Sequence, residues 1–195
     1  MAENSTHDAA QGNYETMSTE VLKAMANPLR RRLVRALSVA GYGRAADLAQ
    51  SLDVPANKLS FHLRTLAKAG LIEEAPELAR DGRDRVWRPV RKARSVGSPQ
   101  HPVADKFLGN QVLAGVVEDD MSVLNRVAAW VPGYTSGEDP VVRGALTDMR
   151  LRLTRERFVA MIDAMERVVE EFRGEQEAED ALGWDLVILA ASDEI

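Results

Sequence analysis

The 195-residue chain contains no cysteine. That absence excludes a disulfide framework, a thiolate metal site and a cysteine nucleophile together. Histidine is scarce as well: of three, His7 and His101 fall in segments expected to be flexible, so no metal-binding set is predicted. No apolar run approaches the roughly 18 residues needed to cross a bilayer. The polar opening MAENSTHDAAQGNYETMSTE has no basic start leading into an apolar stretch, so a cytoplasmic protein is expected. A phosphate-binding loop and a dinucleotide glycine fingerprint are also missing. The acidic pairs Glu118/Asp119 and Glu170/Glu171 are adjacent and diverge on a helix, which suits solvation better than acid/base chemistry. Neither an enzyme nor a cofactor-binding protein is expected.

What the chain does hold is charge, unevenly placed. The net charge of -5 argues against a general polycation. Residues 17–94, however, carry 16 Lys or Arg against 8 Asp or Glu, while residues 95–195 carry 9 against 19. A basic module is thus joined to an acidic one, as in a protein whose first half gains from phosphate and whose second half is repelled by it. A chance partition of surface charge is the plain alternative. The segment RKARSVGSPQHPVAD, residues 91–105, interrupts hydrophobic periodicity with Gly97, Pro99 and Pro102 and reads as a connector. The opening residues hold too few large apolar groups to offset the entropy of ordering them.

The basic half is a succession of short helices. Val21, Leu22 and Met25 share a face; Asn27-Pro28 then supplies a cap and a proline that costs no hydrogen bond at a first helical position. In LRRRLVRALSVA, Leu29, Leu33, Leu37 and Val34 form an inward face and Arg30, Arg31 and Arg35 are expected to point outward. Gly41 and Gly43 punctuate its end, and RAADLAQSL is a two-turn helix through Ala45, Leu48 and Ala49. After the turn at residues 52–54, Pro55 opens a helix with Leu59, Leu63 and Leu66 as its buried stripe. At about 100° per residue, Asn57, Phe61, Arg64 and Lys68 fall roughly 140–200° round the helix from Leu59. Lys58 and Ser60 flank that outward face, and His62 sits near its buried edge. A short helix, a tight turn and such a second helix form a helix-turn-helix whose second helix enters a major groove. Phe61 would pack on a thymine methyl; a protein-contact surface is the competing reading.

Leu71-Ile72 begins one strand, Asp81-Gly82 marks a turn, and residues 83–90 alternate as a second strand, which makes a wing. Either strand parity could face the core. Arg80, Arg83 and Arg85 are candidate phosphate or minor-groove contacts, the alternative being a charged solvent-facing hairpin. The ordered set ANPLRRRLVRAL, AADLAQSLDVPANKLSFHLRTLAKAGLI and GRDRVWRPV resembles the ArsR-type winged-helix transcriptional regulators over approximately residues 17–92. By that resemblance Ser60, His62 and Leu63 match the Ser-x-His-Leu part of the recognition helix, and Gly82-Arg83 matches the wing. Pro55 and Phe61 depart from the family pattern. The family's cysteine sensor cannot be carried over to a chain without cysteine.

In the acidic half, Ala114, Val117, Met121, Leu124, Ala128 and Val131 recur at helical spacing, with Val116, Val123 and Trp130 alongside, over a pattern running from Val103 to Val131. This wide face suits packing on its own domain and on a partner; a wholly intramolecular core is the alternative. Pro132-Gly133 is expected to end the helix. Residues 147–153 alternate as a strand, Thr154 caps a helix bearing Phe158, Ile162, Met165, Val169 and Phe172, and WDLVILAA reads as a terminal strand expected to pair with residues 147–153 across that helix.

The resulting expectation is a mainly α protein with α+β features. A disordered tail (1–16) precedes a winged helix-turn-helix (17–92), a linker (93–105) and a small α+β accessory and dimerisation domain (106–195). Its expected role is a homodimeric repressor that reads a pseudopalindromic operator in double-stranded DNA. Asn57, Lys58, Ser60, Phe61, His62, Arg64 and Lys68 would serve the groove, and Arg80, Arg83 and Arg85 the wing. An unidentified small-molecule effector could act on it; a protein-interaction adaptor without DNA readout is the alternative function.

Overall fold

The computed structural model describes residues 14–81, 84–172 and 181–195. They fall into two compact units: Glu15–Met121 with Gly183–Ile195, and Ser122–Leu182 with Tyr14. The first unit opens with strand β1 (Glu15–Thr16) and helix α1 (Thr19–Met25), whose N-terminus is capped as the Val21 N–H donates to Ser18 Oγ. Helix α2 (Pro28–Ala40) starts as its sequence predicts. The Arg30 N–H donates to Asn27 Oδ1 at 3.1 Å, and Pro28 occupies the first turn, where its missing N–H costs nothing. Strand β2 (Gly43–Arg44) leads into α3 (Ala45–Ser51), a turn, and α4 (Ala56–Lys68). Strand β3 (Ile72–Glu74), a single 3-10 turn at Pro76–Leu78, strand β4 (Val86–Pro89) and strand β5 (Arg94–Ser95) follow.

The predicted wing is present. β3 and β4 pair antiparallel with Ile72 opposite Pro89 and Glu74 opposite Trp87, and β2 adds to the other side of β4, giving the order β2-β4-β3. The open question of strand parity resolves unexpectedly. Val86 and Trp87 are both buried although successive residues project to opposite faces, so β4 is covered on both sides there. One core joins the unit, with Leu33 and Leu37 of α2, Leu48 of α3, Leu59 and Leu63 of α4, and Trp87 of β4 packed together.

The chain on either side of the winged helix departs from expectation. Residues 15 and 16, assigned by sequence to the tail, pair in parallel with residues 94 and 95, assigned to the linker; the Lys92 ammonium meets the Glu15 carboxylate at 2.8 Å. Residues 1–13 of the expected tail lie outside the described residues. Helix α5 (Lys106–Ser136) begins where Asp105 accepts the Leu108 N–H, and it runs straight through Pro132, which the sequence reading takes as a terminator. Proline removes one backbone donor, a loss a helix with many other bonds can carry near its end. The stop comes at Gly137, whose φ of 82° needs a residue without a side chain.

The two units divide within α5, whose first half reaches α2 through side chains. Arg31, expected to face outward, is only 5% exposed: its Nε donates to Asp119 at 2.8 Å and its Nη1 to the Met25 carbonyl at 3.2 Å. Gly115 makes room for it, since a Cβ there would lie 2.4 Å from the guanidinium. Arg31 does point away from the winged-helix core, but another helix covers it.

The second unit contains the rest of α5 and helix α6 (Arg155–Phe172), capped as expected by Thr154, whose Oγ1 accepts the Arg157 N–H. The strands predicted at residues 147–153 and in WDLVILAA do not form. Alternation gives a segment two faces but not a ladder partner, and neither segment has a strand beside it. The described accessory region is therefore helical with extended connections, not α+β. Among the described residues no helix is long and apolar enough to cross a membrane.

Candidate nucleic-acid interface

Helix α4 owes its position to the turn before it. Asp53 takes a left-handed conformation, φ 53°, which a short polar side chain tolerates, and the Val54 N–H donates to the Ala49 carbonyl at 3.0 Å. Pro55 stands just before the first helical residue, in extended conformation, and its carbonyl accepts the Lys58 N–H. Leu59, Leu63 and Leu66 are 0–1% exposed and fix the rotation of α4 about its axis.

That rotation presents the predicted residues on the far side. Asn57, Lys58, Ser60, Phe61, Arg64 and Lys68 are all exposed. Phe61 is the clearest case: at 63% exposed it lacks the hydrophobic cover expected of phenylalanine in a solvated helix. Its ring meets His62 edge-on at 5.6 Å. The Arg64 Nε donates to the Ser60 carbonyl, which holds the guanidinium along the helix surface. Lys68 lies at the α1 end of the stripe. It is among the cations that help hold the Glu20 carboxyl below its usual range, after a backbone hydrogen bond, the Ser18 hydroxyl and Lys23.

His62 is half-buried, as its azimuth predicts. Burial, and secondarily the Arg30 charge, push its imidazole below the ordinary histidine value, and its Nδ1 is buried without a partner. Arg30 is itself anchored by the carbonyls of Ala24 at 2.6 Å and Lys23 at 2.7 Å.

Arg80 and Arg85 of the wing are exposed; Arg83 lies outside the described residues. Arg85 reaches Glu74 across the hairpin at 3.3 Å, so part of its charge is already matched. The sequence reading missed how the wing is fastened to β2. The Arg44 Nε donates to Asp84 at 2.7 Å and its Nη2 to the Leu78 carbonyl, while Asp84 also accepts the Arg80 N–H. These hydrogen bonds, led by that from Arg44, hold the Asp84 carboxyl below its usual range. Arg44 and Asp84 are forty positions apart, and no local spacing signals their meeting. Arg88 likewise bridges Glu73 and Glu77, at 2.7 and 2.6 Å.

A reading helix set by a tight turn, followed by an antiparallel wing, defines the winged helix-turn-helix class. In agreement, residues 25–75 match the family model of a helix-turn-helix domain. Among solved structures the chain is similar to HlyU from Vibrio cholerae, at 22% identity over 49% of this chain and 86% of that one, TM-score 0.32. It is also similar to the AntR antimony-specific transcriptional repressor, at 20% identity over 58% and 92%, TM-score 0.34. A third is a possible transcriptional regulator for arsenical resistance, at 29% identity over 55% and 92%, TM-score 0.31. TM-scores this low add nothing to the assignment, which rests on the family match and the geometry. Comparison with curated proteins returns no match.

Proposed function

We propose that this chain is a sequence-specific, homodimeric DNA-binding regulator of the ArsR-like type that represses by occupying a pseudopalindromic promoter site, and that it has no catalytic role. The observation that carries the reading is the exposed face of α4. Amide, hydroxyl, cationic and aromatic groups at Asn57, Ser60, Arg64 and Phe61 stand opposite a fully buried leucine stripe. Such a face offers hydrogen bonds to base edges and an apolar contact for a thymine methyl. Arg80 and Arg85 suit phosphate. One short reading helix covers only a few base pairs, so two copies on a two-fold site follow from the geometry of the duplex. Exposed Val117, Met121 and Leu124 on α5 offer apolar area for that association.

The test is a titration of specific and scrambled duplexes at several salt concentrations. Asn57→Ala or Phe61→Ala is expected to lose about 1–3 kcal/mol of discrimination with little change in nonspecific affinity. Arg85→Ala is expected to weaken both duplexes alike and to lower the salt slope by about one. Equal wild-type affinity for both duplexes would overturn the reading in favour of a protein-contact module, to which an exposed phenylalanine also lends itself.

A further inference from the structure

Helix α6 belongs to a unit with almost no core of its own. Among the described residues of Ser122–Leu182 only Val123 is buried, and none in α6 is. Yet at about 100° per residue Phe158, Ile162, Val168, Val169 and Phe172 all lie within roughly 60° of Met165 round the helix. Phe172 is 67% exposed and Val168 50%. Phe158 is exposed as well, and Ile162, Met165 and Val169 are half-buried; an apolar face left open at both ends marks a binding surface.

Two features of α6 indicate what binds there. Its apolar face reads nearly the same in both directions: Phe158 and Phe172 stand equally far from Met165 along the chain, and so do Ile162 and Val168. Its charges also run against the helix dipole. Arg155 and Arg157 flank Glu156 in the first turn, leaving it net basic, and Glu170 and Glu171 close the helix, although a helix N-terminus favours anions and its C-terminus cations. The arrangement is unfavourable within one helix and favourable against an antiparallel copy, where each arginine end meets a glutamate end. Arg157 and Glu171 lie on the same flank of the apolar face. With two antiparallel copies centred on Met165 they come within about 3 Å of the same level along the axis. An unrelated partner would require neither the symmetry nor the reversed charges.

We infer that α6 pairs antiparallel with α6 of a second copy of this chain about a two-fold axis beside Met165, with Arg157 of each copy facing Glu171 of the other. The pairing rests on the two-copy part of the function proposed above and is independent of its DNA readout.

Because the chain has no cysteine, a single introduced thiol reports on a single position. In the full chain, Met165→Cys is expected to form an intermolecular disulfide on mild oxidation, since the two thiols meet at the axis. Arg167→Cys, on the opposite side of α6, is expected not to. Arg157→Glu and Glu171→Arg should each weaken self-association in sedimentation by about tenfold, and the two together should restore it to within about threefold. The pairing is overturned if Met165→Cys links no better than Arg167→Cys, if the double reversal stays as weak as either single one, or if the wild-type chain is monomeric. A dimeric, operator-specific wild type in which Met165→Cys does not link would overturn the pairing alone. A chain that links through Met165→Cys but does not discriminate DNA sequences would overturn the readout alone.

Discussion

His62 shows how one side chain can sit between two roles. It follows exposed Phe61 on the reading helix, yet its own ring is half-buried and its protonation is disfavoured by burial and by Arg30. In the folded chain it therefore protonates at a lower pH than in the unfolded chain, where 6.5 is the reference value. Above that value both states hold a neutral ring and folding loses nothing. As pH falls through it toward the lower folded value, the unfolded state takes up the proton first and stability declines. Urea unfolding between pH 7 and 5 is expected to show this loss, and His62→Gln to flatten it. A wild-type chain equally stable across that range would show that Arg30 and burial do not govern the ring. Tyr14 illustrates the same physics outside the interface: its hydroxyl donates to Glu166 at 2.6 Å, and that hydrogen bond, with some burial, pushes its pKa up to about 12.

At the scale of elements, the decisive junction is α2 against α5. A buried guanidinium needs both space and a counter-charge, and α5 provides each from one face through Gly115 and Asp119. Asp119→Asn would leave the Arg31 charge covered with only carbonyl partners. We expect it to cost roughly 2 kcal/mol in chemical denaturation, less than the about 3–5 kcal/mol for breaking a fully buried pair, because Asp119 is 24% exposed. Gly115→Ala is expected to destabilise too, since its methyl group would displace the Arg31 guanidinium from Asp119. If both variants unfold like the wild type, α5 is not held to α2 in this way. The wing is fastened on the same principle, with Arg44 of β2 reaching Asp84 and the Leu78 carbonyl. Its shape therefore depends on a contact outside the hairpin itself.

At the scale of the whole chain, the division of labour can be tested by shortening it. A chain ended after Gly137 keeps Arg31, Gly115 and Asp119 but loses α6 and, from the first unit, the Gly183–Ile195 segment whose Asp185 meets Arg35 at 3.3 Å. It is expected to retain a cooperative winged-helix unfolding transition, to sediment as a weaker dimer or a monomer, and to bind operator about a hundredfold less tightly as the gain from tethering two reading heads is lost. Unchanged operator affinity would mean that the contacts joining the copies all lie before residue 137.

Local chemistry was sufficient for much of the first unit. Asn27-Pro28 marked the start of α2, the leucines of α4 set its rotation and so the exposure of Asn57, Phe61 and Arg64, and the spacing of residues 71–90 foretold the wing. Each of these depends on positions within one or two helical turns or one hairpin, where sequence separation and spatial separation nearly coincide. The burial of Arg31, the pairing of Arg44 with Asp84, the β1–β5 strand pair and the passage of α5 through Pro132 were settled only by tertiary structure. In the first three cases the partner lies far along the chain; in the fourth, packing and the remaining helical bonds outweigh one lost donor. Residues 147–153 and WDLVILAA have the pattern of strands but stand without ladders. A strand is defined by its neighbour, and a single segment's alternation cannot supply one.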